Sequence, residues 1–235
     1  MGNIYDHVLT DRLKRWNFAL RKPRYYRYAE QHILCECPRC FCPHRRAQRY
    51  SFTYVSESQS VIYYDVPKCA SSTIRQIFFG NNHTLSLVNP QKSLDHYFKF
   101  SFVRDPWDRM VSNWKMFTSQ PFRIKQIQSM TDQDVSRFED FVYFARRVKN
   151  HHWQPQVLYL PDKLDFLGRL ETFEHDFKTL CDRIGIMPVP VIEKRNTTAR
   201  SRYQDYYTPT LVDVVAEMYA EDIQAFGFEF GASRY

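Results

Sequence analysis

A short polar turn carries residue types suited to binding an anion. Residues 66–73 read Val-Pro-Lys-Cys-Ala-Ser-Ser-Thr and lie between a predicted strand and a predicted helix. Amides at a helix N-terminus favour an anion, small side chains let the backbone approach it, and Lys68 adds a positive charge. The turn is not a Walker A loop, because it has no glycine and its lysine precedes the small residues. Taken alone, it is better explained as an ordinary polar helix cap.

A second turn, over residues 104–112, changes that interpretation. Its sequence, Arg-Asp-Pro-Trp-Asp-Arg-Met-Val-Ser, again follows a predicted strand and opens a helix. Arg104 can hold a phosphate through two parallel N–H bonds, and Ser112 lies about two helical turns further on. Two such turns in one chain indicate a ligand that carries two anionic groups.

Alternating strands and helices must position these turns. We expect Ser71 or Ser72 to cap the first helix and Asp105 to cap the second, with Pro106 in its first turn. Such alternation predicts an α/β fold, in which a P-loop-like parallel sheet is flanked by helices and ligands bind at the carboxyl ends of strands. The predicted strands are 61–66, 98–103 and 165–170, and the helices that follow them are 73–79, 107–117 and 173–184.

Helix patterns elsewhere follow the same rules. The helix after the second turn carries an apolar stripe from Met110 to Phe117, which leaves Arg109 and Ser112 on the opposite face. A capping box at 136–139 predicts a helix that runs to about residue 148. Thr172 is the expected cap of the helix at 173–184, and a last helix is predicted from Thr208-Pro209 to Gly227.

Composition fits one globular domain with an extension. The 235 residues are 43% hydrophobic and 25% charged with only 6 glycines, which excludes collagen, coiled coil and wholesale disorder. No window approaches the roughly 18 uninterrupted apolar residues of a membrane span, and the first residues lack the apolar core of a signal peptide. We therefore expect a cytoplasmic protein.

The excess of positive charge is confined to the first fifth of the chain. Residues 1–50 contain 11 Lys and Arg against 4 Asp and Glu, whereas the rest contains 22 of each. We therefore divide the chain into a basic, cysteine-rich N-terminal extension (1–55) and a folded domain (56–235). The extension can bind a polyanion or a membrane surface, or be a solvated flank. It matches no nucleic-acid motif, so no nucleic acid is expected.

A cysteine cluster lies within this extension. Cys37 and Cys40 have the C-x-x-C spacing of a zinc knuckle, and a neighbouring thiolate with His44 can complete a tetrahedron. No second pair of this kind follows, so a reduced cluster or a disulfide stays open beside zinc. The candidate ligands are Cys35, Cys37, Cys40, Cys42 and His44.

The two turns together resemble the sulfotransferases that use 3′-phosphoadenosine 5′-phosphosulfate, particularly the carbohydrate sulfotransferases. The turn at 66–73 looks like the family's loop for the 5′-phosphosulfate, and 102–112 looks like its 3′-phosphate motif. Weaker similarities to segments of the same family follow at residues 152–156, 166–177 and 203–207. The resemblance covers residues 61–230 and implies the sulfotransferase fold, while residues 1–55 match nothing in that family.

The resemblance also implies a role for each residue of the turns. Lys68 would neutralise the leaving 5′-phosphate and its bridging oxygen, the hydroxyls and amides that follow would hold the phosphosulfate, and Arg104 with Ser112 would bind the 3′-phosphate. The basic loop 194–202 would suit closure over that phosphate, or is a solvated loop. No metal is required. The donor-binding set is Lys68, Cys69, Ala70, Ser71, Ser72, Thr73, Arg104, Ser112 and Arg202.

The acceptor needs a general base, and several residues qualify. His83 is our first choice, because it follows the first helix and a free histidine titrates near neutral pH. His152 is second, in the family-like His-Trp segment, and His96 at the opposite end of its strand is better explained as structural. His151 and Glu139 complete the candidates.

The function predicted on these grounds is sulfuryl transfer from 3′-phosphoadenosine 5′-phosphosulfate to a hydroxyl, or an amine, of a carbohydrate or small molecule. Transfer would be in line, with most of the catalysis coming from stabilised charge on the equatorial oxygens. Two other classes remain. One is an ATP- and magnesium-dependent phosphoryl transferase, which the absent Walker glycines disfavour. The other is a non-catalytic zinc or nucleic-acid binding module built around the N-terminal extension.

Overall fold

A four-stranded sheet forms the centre of the molecule in the computed structural model, which describes residues 53–80, 95–190 and 202–232. The strands lie side by side in chain order. The first pairs antiparallel with the second, and the second, third and fourth run parallel. The predicted α/β fold is confirmed. The strands are β1 (Thr53–Ser56), β2 (Val61–Tyr64), β3 (Phe98–Val103) and β4 (Phe166–Arg169).

Seven α-helices accompany the sheet in the described part of the chain. The helix Pro121–Gln128 was not predicted; it begins at Pro121 because Gln120 before it is extended, as a residue preceding proline prefers. The single helix predicted from 208 to 227 is two, broken at Tyr219. The helices are α1 (Ser71–Phe79), α2 (Pro106–Ser119), α3 (Pro121–Gln128), α4 (Phe138–Arg147), α5 (Phe173–Ile184), α6 (Pro209–Met218) and α7 (Ala220–Phe226), with short 3₁₀ helices at Gln156–Tyr159 and Tyr203–Tyr206.

Aromatic side chains fix α1 and α5 on one face of the sheet. Phe100 and Phe102 on β3 are fully buried, and the ring of Phe78 from α1 lies 5.4 Å from that of Phe100. Phe173 from α5 packs on Phe102 at 5.2 Å. Gly168 on β4 is required here, because a Cβ at that position would lie 2.3 Å from the Phe102 ring. The Phe102 ring thereby packs directly on the backbone of Gly168.

The parallel strands β2 and β3 end at the same edge of the sheet. Tyr64 is in register with Ser101, and the Ser101 hydroxyl donates to the Tyr64 carbonyl at 2.6 Å. The turn at 66–73 leaves this edge for α1, and the turn at 104–105 leaves it for α2. The fold therefore brings the two predicted anion-binding turns together.

The predicted caps of α4 and α5 are wrong. Ser136 does not cap α4, because the Asp134 carboxylate binds its amide and hydroxyl at 2.9 and 3.0 Å, in a local turn typical of aspartate. Thr172 precedes α5 but donates to Asp176 at 2.8 Å instead of accepting from a helix amide. Thr208, by contrast, caps α6 through the amide of Leu211.

Among the described residues, no helix combines the length and the apolar character needed to cross a bilayer.

Candidate active site

The helix that follows the first turn starts without a side-chain cap. Ala70 occupies the N-cap position with φ 61° and ψ 17°, and its side chain cannot accept a hydrogen bond. Ser71, a predicted cap, donates its hydroxyl to the Val66 carbonyl at 3.0 Å instead. The predicted serine cap is therefore wrong. The amides of Ala70, Ser71 and Ser72 enter no backbone hydrogen bond among the described residues, so this helix end is open to an anion.

Lys68 reaches from this turn towards α2. Its φ of 75° is left-handed, and its Nζ lies 3.5 Å from the Met116 sulfur. Burial lowers the pKa of the Lys68 ammonium to about 8, with smaller contributions from Arg104 and Arg123. The described part of the chain gives this ammonium no ion pair. An anionic ligand at the turn would therefore gain a strong interaction.

The second turn presents a helix end that is already occupied. The Asp105 carboxylate accepts from the amides of Trp107 and Asp108 at 2.8 and 3.1 Å, which confirms the predicted cap. The Glu171 carboxylate accepts from the Asp105 amide at 2.6 Å. Burial raises the pKa of Glu171. Because carboxylates hold these amides, an anion at the second turn has to be bound by side chains.

Arg104 joins the second turn to the first. Its side chain is buried, and Nε and Nη2 contact one oxygen of Asp108 at 2.8 and 2.7 Å. Its Nη1 donates to the Lys68 carbonyl at 3.1 Å. Ser112 lies one helical turn beyond Asp108 and is half-buried, and its hydroxyl makes no hydrogen bond within the described residues. Lys68 and Arg104 thus belong to one site.

Arg109 is a supporting residue that the sequence analysis placed on the wrong face of α2. Its side chain is fully buried and donates to the carbonyls of Pro67, Gln154 and His152 at 3.0, 2.8 and 3.1 Å. The amphipathic pattern failed because it counts any arginine as solvent-facing, whereas a guanidinium can be buried when carbonyls satisfy its N–H groups. Arg109 fixes the first turn against the segment 152–154.

Cys69 is a structural residue of the first turn. It is fully buried and donates its thiol to Oε1 of Gln156 at 3.3 Å. Burial raises the pKa of this thiol to about 12, so it is not a thiolate at neutral pH. The uncharged thiol therefore serves to pack the turn against Gln156.

Two of the candidate bases lie next to each other. The rings of His151 and His152 are 3.9 Å apart. Burial lowers the pKa of His151 to about 4 and that of His152 well below its ordinary value, so both are neutral. Nδ1 of His152 lies 2.9 Å from Oδ1 of Asn150, which also accepts the His152 amide. Nδ1 therefore carries the proton, and Nε2 is an acceptor.

The other described candidate residues are exposed or half-exposed. His96 is exposed at the amino end of β3, with its ring 4.7 Å from that of Tyr97 and tilted by 55°. Glu139 is half-exposed, with its carboxylate 3.7 Å from Arg137, and Arg202 is exposed, 3.6 Å from Asp205. The candidates that fall outside the described residues are His83, the loop arginines Arg195 and Arg200, and the cluster Cys35, Cys37, Cys40, Cys42 and His44.

A cavity of about 490 Å³ opens where α2 ends. Phe117 and Thr118 of α2, Ile124 and Ile127 of α3, and the segment 131–136 line it. Phe117 directly follows Met116, the residue that Lys68 contacts. Residues 53–80, 95–190 and 202–232 hold no group of three His, Cys, Asp or Glu side chains placed to bind a metal ion.

An open helix end beside a buried lysine, at the carboxyl edge of a mostly parallel sheet, is the arrangement typical of α/β proteins that bind anionic ligands. The comparison with known families narrows this class. Residues 52–229, or 178 of the 235 residues, match the model of the Sulfotransferase family, and the chain belongs to that family. It is therefore a transferase of sulfuryl groups. A search of curated proteins and a search of solved structures give no match.

Proposed function

We propose that the protein transfers a sulfuryl group from 3′-phosphoadenosine 5′-phosphosulfate to a hydroxyl, or an amine, of a carbohydrate or small molecule. The observation that carries this proposal is the junction of the two turns, where Arg104 donates to the carbonyl of Lys68 beside the open end of α1. A ligand with two anionic groups fits such a junction, because each turn offers donors of its own.

The residues of the first turn suit the 5′ end of this donor. The amides at the start of α1 and the hydroxyls of Ser72 and Thr73 would hold the phosphosulfate, while the Ser71 hydroxyl braces the turn on Val66. The Lys68 ammonium would neutralise the oxygen that bridges sulfur and phosphorus.

The second turn suits the 3′-phosphate. Asp108 fixes the plane of the Arg104 guanidinium through two contacts, and Ser112 presents its hydroxyl one turn further along α2. The remaining residue of the proposed donor-binding set is Arg202, which is exposed.

Transfer needs a proton acceptor and a stabilised leaving group. When bound, the donor supplies the sulfuryl group; the acceptor oxygen forms its bond to sulfur as the bond from sulfur to the phosphate oxygen breaks. The acceptor's proton passes to a general base, for which His83 stays our prediction and Nε2 of His152 is second. Lys68 offsets the charge that develops on the departing phosphate.

The cavity at the end of α2 supports a place for the acceptor. Along this helix come Ser112, then Met116 in contact with Lys68, then Phe117 at the cavity wall. The 3′-phosphate, the reacting sulfur and the acceptor would therefore follow one another along about one and a half helical turns.

Ligand-induced stabilisation tests the proposal. Adenosine 3′,5′-bisphosphate without metal should raise the melting temperature, whereas ATP with magnesium should raise it less. Ser112→Ala should weaken the bisphosphate about tenfold, as expected for loss of one hydrogen bond to a charged group, and leave adenosine 5′-monophosphate unchanged. Ser119→Ala, on the exposed end of the same helix, is the matched control.

A larger stabilisation by ATP with magnesium than by adenosine 3′,5′-bisphosphate would refute the proposed sulfuryl transfer. Stabilisation by ATP with magnesium alone would favour the phosphoryl transferase, and no shift with either ligand would remove the main support for a nucleotide donor. The base is tested separately: His83→Ala with full turnover and undiminished bisphosphate binding would exclude His83.

A further inference from the structure

Gln156 is a fully buried residue that touches both turns of the proposed donor site. Its Nε2 donates to the Arg104 carbonyl at 2.8 Å, and its Oε1 accepts the Arg104 amide at 2.9 Å. The same oxygen accepts the Cys69 thiol at 3.3 Å. One side-chain amide therefore pairs with the peptide groups that flank Arg104 and also reaches the middle of the first turn.

The geometry admits one orientation of this amide. A flip would set the Gln156 NH₂ against the Arg104 N–H and its oxygen against the Arg104 carbonyl, which are two repulsive contacts in place of two hydrogen bonds. The pairing therefore fixes where β3 ends and where Arg104 leaves the sheet.

A second buried residue anchors Gln156 itself. The Asp222 carboxylate of α7 accepts from the amides of Gln156 and Val157 at 2.8 and 3.0 Å. Burial raises the pKa of Asp222, and the hydrogen bond from the backbone amide of Gln156 opposes that rise. Asp222 has no exposed surface. The backbone of Gln156 is thus fixed by a buried carboxylate of α7.

We infer that Gln156 is a positioning residue that couples the two anion-binding turns, setting the spacing at which the 5′ and 3′ groups of one nucleotide bind together. The inference rests on the proposed function. Without this amide each turn keeps its own donors, so a ligand with one phosphate binds as before. A ligand with two phosphates loses the benefit of their fixed separation.

The test compares affinities for three ligands by calorimetry. Adenosine 5′-monophosphate probes the first turn, adenosine 3′-monophosphate the second, and adenosine 3′,5′-bisphosphate both. In Gln156→Met, which keeps the length of the side chain without its hydrogen bonds, we expect bisphosphate affinity to fall about tenfold. The affinities for both monophosphates should change less than about threefold.

Gln156→Glu adds a signature that simple loss of packing does not give. At pH 8 the introduced carboxylate would face the Arg104 carbonyl, and the ratio of bisphosphate to monophosphate affinity should fall about tenfold. At pH 5.5 the protonated carboxyl of this variant can donate to that carbonyl again, so the ratio should return to within about threefold of wild type. Gln224→Glu, on the exposed side of α7, controls for the added charge.

The outcomes separate the inference from the function on which it rests. If wild type prefers the bisphosphate and both Gln156 variants keep that preference at both pH values, the coupling role is refuted alone. If all three ligands weaken equally in both variants, Gln156 is merely structural and the inference also fails. If wild type shows no preference for the bisphosphate, the proposed function fails with it.

Discussion

Replacing Lys68 by methionine should stabilise the folded protein while weakening its affinity for the nucleotide. Burial, with Arg104 and Arg123 nearby, lowers the pKa of Lys68 from its ordinary value of 10.5 to about 8. At about 1.36 kcal/mol for each pKa unit, keeping this ammonium charged in the folded state costs about 3 kcal/mol at pH 7. Methionine fits the same space beside Met116 without that cost.

The pH dependence of this stability difference shows whether the buried charge of Lys68 causes it. Between pH 8 and 10.5 the unfolded chain holds a proton on Lys68 that the folded protein has lost, so the stability of wild type rises with pH in this window. The free energy of unfolding of Lys68→Met should therefore exceed that of wild type by about 3 kcal/mol at pH 7, and the difference should be close to zero above pH 10.5. The buried tyrosines titrate alike in both proteins, so they cancel in the difference.

Urea unfolding of both proteins at pH 7 and pH 10.5 measures this difference. Lys178→Met, at an exposed position of α5, is the control and should change stability by less than about 0.5 kcal/mol. At pH 7 the more stable Lys68→Met protein should show a smaller shift in melting temperature with adenosine 3′,5′-bisphosphate than wild type. A variant that is less stable than wild type at pH 7, or an advantage that does not change with pH, would refute the reasoning.

Two other predictions follow from the same structure. Affinity for adenosine 3′,5′-bisphosphate, measured calorimetrically from pH 7 to 10, should be constant below pH 8 and then fall towards about tenfold for each pH unit, because the Lys68 ammonium must be present; a flat profile would contradict this. Gly168→Ala should lose about 2 kcal/mol in urea unfolding because its Cβ would overlap the Phe102 ring. Gly185→Ala, with open space at φ 73°, should lose only about 1 kcal/mol, and equal losses would argue against the overlap.

The features that the sequence predicts well are those that short stretches encode. The parallel strands before each turn appear as runs of β-branched and aromatic residues, and β3 has the predicted bounds of residues 98 to 103. Asp105 and Pro106 begin α2 as expected, because a cap and a first-turn proline act within one turn of helix. The fold class followed from the alternation of these units.

The features that sequence reasoning missed depend on partners far along the chain. Arg109 is buried only because the carbonyls of His152 and Gln154, 43 and 45 positions away, accept its N–H groups. The side chain of Gln156 is held by hydrogen bonds to the backbone of Arg104, 52 positions earlier in the chain. No pattern within one helix or turn encodes such pairings, so local patterns assign these polar residues to the surface or overlook them.

The contrast between the two helix ends indicates where ligand-binding energy is used. Three destabilising features coincide at the first turn: left-handed φ at Lys68 and Ala70, a helix without a side-chain cap, and a lysine with a lowered pKa. Each costs on the order of 1 kcal/mol or more. At the second turn, Asp105 and Glu171 already satisfy the helix amides. A phosphosulfate would offset all three costs at the first turn, whereas at the second it would displace hydrogen bonds of equal quality. The first turn is therefore the one whose order should increase most when the nucleotide binds.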